Sequence, residues 1–179
     1  MTDFAACFDE FRISAFRLET LRQYAVSAED ERITAFREHR PLPERSVRTS
    51  PWLRRIADTT AAGKYWSRVH VVDEPLSEYV RFEMVTYRES AQAGEDIRIT
   101  SRKADPALDD LQTDFWLFDA ETSHPFAALM RYDPGGHYVD AEVTSDPAAI
   151  SSCKAAQDLA LHHSVALTAY LAAKEIEAA

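Results

Sequence analysis

The sequence predicts an α/β (or α+β) fold: a mixed sheet with a parallel strand-helix-strand unit, a C-terminal hairpin and flanking helices. Three observations support this class. Residues 68–72 and 96–100 are short β-branched runs that enclose a helical apolar stripe over 75–93, and such a unit is normally a parallel crossover. An Asp-Pro-Gly-Gly turn at 133–136 lies between two apolar runs, which is typical of a hairpin. An alanine-rich tail follows Asp146 and Pro147.

The length of 179 residues, 46% of them hydrophobic, suits one domain with a substantial core. Within that domain we distinguish a helix-strand-helix segment over 1–49, an α/β core over 50–145 and a C-terminal helix over 146–179. No apolar run is long enough for a membrane span, and the acidic start does not resemble a secretion signal. The two cysteines lack metal or redox spacing, so we expect buried thiols and a cytoplasmic location.

The N-terminal segment predicts a short helix over 3–11, a strand over 15–21 and a second helix over 28–39. Apolar and polar residues alternate along the strand, so Phe16 and Leu18 share the inner face. Arg17 and Glu19 then lie on the opposite face, which this pattern predicts to be the outer one.

The elements after residue 50 have clear boundary signals. Ser50 and Pro51 are typical of a helix N-cap and first position, and Gly63 ends that helix. Residues 114–119 are apolar on both faces, which predicts a central strand. Residues 126–132 and 137–144 form the predicted hairpin. The last helix is expected to run from Asp146 almost to Ala179, which is long for a globular domain.

The net charge of −10 disfavours autonomous nucleic-acid binding, which needs a basic face. The first 60 residues nevertheless carry equal numbers of acidic and basic side chains, and all their basic residues are arginines. An ion-paired surface is the favoured interpretation, with an acidic protein partner or direct DNA contact as alternatives. The crowded arginines are Arg37, Arg40, Arg45, Arg48, Arg54 and Arg55.

Motifs for phosphate, metal and nucleophile chemistry are missing. No glycine-rich phosphate loop, nucleophile elbow or zinc-binding helix motif is present. His162 and His163 are adjacent, so on a helix they point about 100° apart and cannot hold one metal together. We therefore expect no cofactor and no metal site.

Three charged groupings remain as candidate binding residues. In open α/β sheets, ligands collect beyond the carboxyl ends of parallel strands, which places segment 73–77 and the following helix at a crevice. Arginines beside carboxylates suit a small polar ligand, and they equally suit a structural ion-pair network. The candidates are Arg17 and Glu19 on the first strand, Tyr79, Arg81 and Glu83 on the crossover helix, and Asp96 and Arg98 on the second β-branched strand.

A series of short phrases carries a resemblance to a known family. They are FRLET with Tyr24, PWL at 51–53, RVHVV at 68–72, PLSEY at 75–79, RFE at 81–83, AGEDIR at 93–98, DFWLFD at 114–119 and DPAA at 146–149. In this order, across residues 4–155, the chain resembles an actinobacterial family of unknown function often encoded beside helix-turn-helix regulators. The resemblance implies a bacterial cytoplasmic protein in a regulatory gene neighbourhood, with such a regulator as a candidate partner.

A fainter similarity in element order connects the chain with phospholipase D-like domains. Those enzymes attack phosphorus with a histidine that is followed two residues later by a lysine. Here Val71 and Val72 follow His70, so the catalytic motif is missing and the similarity concerns the fold alone.

We therefore expect a non-enzymatic module that binds a protein partner or a small polar ligand in a regulatory setting. The alternative is an enzyme with an unrecognised polar site around Arg17, Glu19, Arg81 and Asp96. A weaker hypothesis is DNA contact through the arginine-rich stretch from Arg37 to Arg55. A pocket with convergent polar groups would favour the enzyme, and a flat apolar patch would favour partner binding.

Overall fold

The computed structural model describes residues 3–174 and confirms the mixed α/β class. Seven strands form one sheet: β1 (Ser14–Glu19), β2 (Tyr65–Val72), β3 (Glu95–Ser101), β4 (Phe115–Phe118), β5 (Phe126–Tyr132), β6 (Tyr138–Thr144) and β7 (Val165–Ala166). Their spatial order is β6-β5-β4-β1-β2-β3-β7. The three central strands β1, β2 and β3 are parallel, and every other neighbouring pair is antiparallel.

In the described part of the chain, six α-helices accompany the sheet: α1 (Phe4–Glu10), α2 (Asp30–Arg37), α3 (Pro51–Ala61), α4 (Glu78–Gln92), α5 (Pro147–His163) and α6 (Leu167–Ala173). Short 3-10 turns occur at Ser27–Glu29, Arg102–Ala104 and Pro106–Asp110. The predicted caps are confirmed, because the Ser50 hydroxyl accepts from the Leu53 N–H and the Asp146 carboxylate accepts from the Ala149 N–H. Within residues 3–174, none of the helices has the length and apolar character needed to cross a bilayer.

The predicted long C-terminal helix is wrong. Helix α5 ends at His163, the chain pairs briefly with β3 as β7, and α6 follows as a separate helix. The bend is held in place because Arg98 on β3 donates to the hydroxyl and the carbonyl of Ser164. The predicted continuation to Ala179 includes residues 175–179, which lie outside the described residues.

Each face of the sheet is covered by helices. On the back face, Phe16, Leu18, Val69 and Val71 pack against α5. On the front face, α1 and α3 pack on Trp66 and on the aromatic residues of β4, and α4 packs on β3. All three tryptophans, Trp52, Trp66 and Trp116, meet in this front layer with ring centroids 5.4–6.0 Å apart.

The prediction of buried free thiols is confirmed for Cys7 and Cys153.

Asp119 has a structural role at the start of β1. It follows β4 in a left-handed conformation with a φ of 51°. Its carboxylate accepts from the backbone N–H groups of Arg12, Ile13 and Ser14 at 2.7–3.1 Å, so it fixes the start of β1.

Candidate functional site

A buried chain of alternating charges crosses the front face of the central strands. Arg17 Nη2 lies 2.8 Å from Asp114 Oδ2, and Arg17 Nε lies 3.5 Å from Glu19 Oε1. Glu19 Oε2 in turn accepts from Arg68 Nη1 at 2.8 Å, and Arg68 Nε donates to Glu95 at 2.9 Å. Three carboxylates and two guanidinium groups therefore alternate along this line within the described chain.

Strand periodicity and register bring these side chains together. Side chains two residues apart share one face of a strand, so Arg17 and Glu19 point the same way. Arg17 is opposite Arg68 in the parallel β1–β2 pairing. The prediction that this face is the outer one is wrong, because helices α1, α3 and α4 cover it. Arg17 is 3% exposed and Glu19 6% exposed.

The two arginines keep Glu19 ionised despite its burial. Burial alone would raise the pKa of this carboxyl, but the opposing effect of the charges around it, Arg68 and Arg17 foremost, is larger, and the result is a pKa of about 2. Burial lowers the pKa of both arginines, but the neighbouring carboxylates raise it above the usual value for arginine. These are Asp114 and Glu19 for Arg17, and Glu19 and Glu95 for Arg68. This part of the network therefore carries permanent charges.

A second group of titratable side chains lies beside the charge chain. The Tyr87 hydroxyl is 2.7 Å from Glu19 Oε2, 2.9 Å from His70 Nδ1 and 3.3 Å from Glu83 Oε1. His70 Nε2 lies 3.2 Å from the Leu21 carbonyl, an acceptor, so Nε2 carries the ring proton. One phenolic proton thus faces three acceptors, and the group needs one more proton to satisfy them.

Glu83 holds that additional proton. Burial raises the pKa of Glu83 well above its ordinary value, and the neighbouring Glu19 carboxylate raises it further. Burial also lowers the pKa of His70, so its ring is neutral. Glu83 Oε2 has no hydrogen-bond partner among residues 3–174 and lies 3.5 Å from His70 Nδ1. Burial and the Glu19 carboxylate therefore both favour the neutral form of Glu83.

A cavity of about 360 Å³ opens over this group. Its acidic and basic lining residues are Glu19, Glu29, Glu83, Arg45 and Arg68, and its aromatic lining residues are Phe4, Tyr24, Trp52, Tyr79, Tyr87, Tyr132 and Tyr138. A cavity of this size with aromatic walls and a few converging polar groups is typical of small-molecule sites.

Hydrogen bonds hold the cavity walls in place. The Tyr24 hydroxyl donates to Asp114 at 2.6 Å, and the Tyr79 hydroxyl donates to Glu29 at 2.8 Å. The Tyr132 hydroxyl accepts from Arg17 at 3.0 Å. The β5–β6 turn joins the wall, because the Ala25 N–H donates to the Gly136 carbonyl at 2.9 Å. Several aromatic side chains are therefore oriented before any ligand arrives.

Glu19, His70 and Glu83 place three possible metal-ligand atoms within 4.8 Å of one another. However, Glu19 Oε2 already accepts from Arg68 and from Tyr87. A divalent cation there would displace these donors and approach two guanidinium groups, which is electrostatically unfavourable. The geometry thus fits an organic ligand better, and the absence of a metal site stays a prediction.

The structure brings together some of the residues predicted for the site. Glu19, Tyr79 and Glu83 line the cavity, and Arg17 lies behind it in the charge chain. The other three lie elsewhere. Arg81 is exposed beside Glu74 and Lys174 in a separate depression, the Asp96 carboxylate accepts from the Tyr65 hydroxyl, and Arg98 binds Ser164.

Several residues of the site were not predicted from the sequence. Asp114 and Arg68 were assigned to strands, and neither was considered for the site together with Arg17. The available signal was polar residues inside apolar strands, namely Arg68 and His70 at a spacing of two.

Segment 73–77, the predicted crevice, does meet the loops after β1 and β3, since Asp73 lies 3.8 Å from Arg22 and 3.7 Å from Arg102. The cavity lies on the sheet face instead.

Each of the six crowded arginines binds a carboxylate or backbone carbonyls. Arg54 donates to the backbone carbonyls of Val47 and Arg48. The other five bind carboxylates: Arg37 binds Glu78, Arg40 binds Glu38, Arg45 binds Glu89, Arg48 binds Glu44 and Arg55 binds Asp9. This pattern agrees with the ion-paired surface that the sequence favoured.

A family model matches residues 2–172, nearly the whole chain. The protein belongs to that family. It is described as a domain of unknown function (DUF6879), so membership assigns no activity. No curated protein matches the chain. The DUF6879 match therefore leaves the cavity and its charge network as the best guide to function.

Proposed function

We propose that this chain is a module that binds a small polar organic molecule in the front-face cavity. The observation that carries the proposal is the buried acid Glu83, which lines the cavity together with Arg68 and several aromatic side chains. A buried acid that borders open space and aromatic walls is typical of a small-molecule site.

The surroundings of Glu83 support ligand binding over a purely structural role. A structural network gains stability by pairing each of its polar atoms, and a half-paired buried acid is costly. Here Glu83 is 6% exposed and borders the cavity on one side, while its carboxyl group contacts Tyr87 and His70 on the other. Sites of binding and catalysis are where such perturbed groups are concentrated.

We propose that the module acts in the bacterial cytoplasm in a regulatory setting. This setting rests on the sequence resemblance to proteins encoded beside helix-turn-helix regulators, such a regulator being the candidate partner. Direct DNA contact is not part of the proposal, because the crowded arginines are paired with acids or carbonyls. Phospholipase D-like chemistry is not part of it either, because Val71 and Val72 follow His70 and the lysine of that motif is missing.

The test is a ligand screen on the purified chain. A library of anionic, neutral and cationic metabolites is scanned by thermal shift, and hits are confirmed by calorimetry against the wild type and Glu83→Gln. The matched control is Glu78→Gln, an exposed carboxylate on the same helix. We expect at least one hit whose affinity falls in Glu83→Gln only. A library without any hit would refute the proposal.

A second candidate function is an enzyme that uses Glu83 as a proton donor or acceptor. The observation that favours it is the contact of a protonated carboxyl with a neutral histidine, a pairing suited to general acid-base catalysis. Incubating each confirmed ligand with the protein and analysing it by mass spectrometry separates the two functions. Conversion that requires Glu83 would establish an enzyme, and an unchanged ligand would support a binding module.

A further inference from the structure

We propose that the ligand of this cavity is an organic cation, a small amine whose ammonium group binds the Glu83 carboxylate and displaces its proton. This inference rests on the proposed function and adds the charge of the ligand and the proton released. It is carried by the charge balance of the site, by its aromatic walls and by the position of Glu83.

The buried network is short of positive charge. The carboxyl groups of Asp114, Glu19 and Glu95 are bridged by only two guanidinium groups, so the alternating chain both begins and ends with an acid. Glu83 and Glu29 add two further carboxyl groups at the cavity. One ammonium group would bring the missing charge.

The arginines around the cavity leave no evident anion site. Arg68 is engaged by Glu19 and Glu95, and Arg45 shares the Glu89 carboxylate with Arg32. Arg17 has an unpaired Nη1 atom, but it does not line the cavity and lies over the Trp116 ring. An anionic ligand would instead meet the carboxyl groups of Glu19, Glu29 and Glu83.

Aromatic walls are suited to a cation. The rings of Tyr24, Tyr79, Tyr132 and Trp52 border the same space as Glu83. The negative face of such rings attracts an ammonium group, and the attraction strengthens where water is excluded. Aromatic side chains also bury the hydrocarbon part of an amine, so one cavity accommodates both ends of the ligand.

Proton release follows from the groups that face Glu83. These groups are Glu19 from β1, Arg68 and His70 from β2, and Tyr79 and Tyr87 from α4 itself. Glu29 from the 3-10 turn Ser27–Glu29 completes the set. Without ligand, burial and the repulsion from Glu19 favour the protonated form of Glu83. An ammonium group that binds Glu83 stabilises the carboxylate, so the carboxylic proton leaves to solvent and the amine keeps its own protons. Each binding event therefore releases one proton.

The experiment compares ligands that differ only in head-group charge. The first series is 2-phenylethylamine, 2-phenylethanol and phenylacetate, and the second is hexylamine, 1-hexanol and hexanoate. Binding to the full-length chain is measured by calorimetry from pH 6 to pH 8. We expect the amine to bind at least tenfold more tightly than the alcohol and the acid in at least one series. Its affinity should rise up to tenfold per pH unit, because one proton is released.

Variants and negative outcomes separate this inference from the proposed function. Glu83→Gln should abolish both the preference for the amine and the pH dependence, and Glu78→Gln should preserve them. If Glu83→Gln does not fold, the head-group comparison on the wild type still decides. Equal or tighter binding of the alcohol or the acid, an amine affinity independent of pH, or no amine binding at 10 mM would refute the inference. Hits of another charge in the library would then leave the proposed function standing.

Discussion

Glu83 Oε2 on α4 lies 3.5 Å from His70 Nδ1 on β2, and both side chains are buried. Burial lowers the pKa of the histidine and raises the pKa of the carboxyl group, so both changes favour the uncharged pair. The permanent charge of the site is carried by the neighbouring arginines and by Glu19. The site thus combines a fixed ionic frame with one neutral acid.

The first prediction concerns Glu83→Gln. The folded-state pKa of Glu83 is raised, so its contribution to stability is present below its unfolded value of 4.5 and is lost as the pH rises through the folded pKa. Between these two values the wild type loses up to about 1.4 kcal/mol of unfolding free energy per pH unit. We expect Glu83→Gln to lack this loss, as measured by urea unfolding between pH 6.5 and 8.5.

His70 does not interfere with that measurement. Its lowered pKa affects stability only at pH values below its unfolded value of 6.5. Glu78→Gln is the control, since this residue is exposed on the same helix. Parallel pH profiles for the wild type and Glu83→Gln would contradict a protonated Glu83.

The second prediction concerns Glu19→Gln. Glu19 is buried between Arg17 and Arg68, and removing one partner of a buried ion pair costs about 3–5 kcal/mol. Because the folded pKa is lowered to about 2, the stabilising contribution of Glu19 is present above pH 4.5 and is lost as the pH falls toward 2. Urea unfolding at pH 7 and pH 3 should therefore show a larger deficit of the variant at pH 7. An equal deficit at both pH values would argue against an ionised Glu19.

The third prediction concerns Asp119→Ala. The variant leaves the backbone N–H groups of Arg12, Ile13 and Ser14 without their acceptor. We expect a loss of about 1–3 kcal/mol in unfolding free energy. Asp110→Ala, at an exposed position, is the control. If the two variants lost equal stability in denaturant titrations, Asp119 would not anchor β1.

The fourth prediction compares Gly136→Ala with Gly63→Ala. Both glycines have a positive φ, which costs an alanine about 1–2 kcal/mol. A Cβ at Gly136 would also lie 2.5 Å from the Gln23 carbonyl oxygen, whereas nothing lies within 4 Å of one at Gly63. We expect the larger destabilisation from Gly136→Ala, together with weaker ligand binding because its turn holds the cavity wall. Equal thermal shifts and equal affinities would show that the turn does not support the cavity.

The sequence predicted the sheet better than the site. Local signals such as the cap at Ser50, the β-branched run before Val72 and the turn before Gly136 depend on near neighbours in the chain, and all three were confirmed. The break after His163 was missed because the alanine-rich sequence favours a helix, while the contact of Arg98 with Ser164 joins residues 66 positions apart.

The site was difficult to predict for the same reason. Arg17 and Glu19 were selected correctly as charged neighbours, but periodicity alone cannot tell whether a polar face is covered by helices. The partner Asp114 is 97 positions from Arg17, and the pairing of β1 with β4 decides that they meet. The residues around Glu83 come from β1, β2, α4 and a 3-10 turn, so the contacts among them follow only from the tertiary structure.

The meeting of Trp52, Trp66 and Trp116 in one layer gives the protein a built-in optical reporter. Emission excited at wavelengths selective for indole originates from this one cluster, because the chain contains no other tryptophan. Trp52 lines the cavity, and its ring centroid lies 5.4 Å from that of Trp66 and 6.0 Å from that of Trp116. A non-fluorescent amine that enters the cavity would therefore change the intrinsic fluorescence of the unlabelled chain, which makes equilibrium titrations and stopped-flow kinetics accessible without any dye.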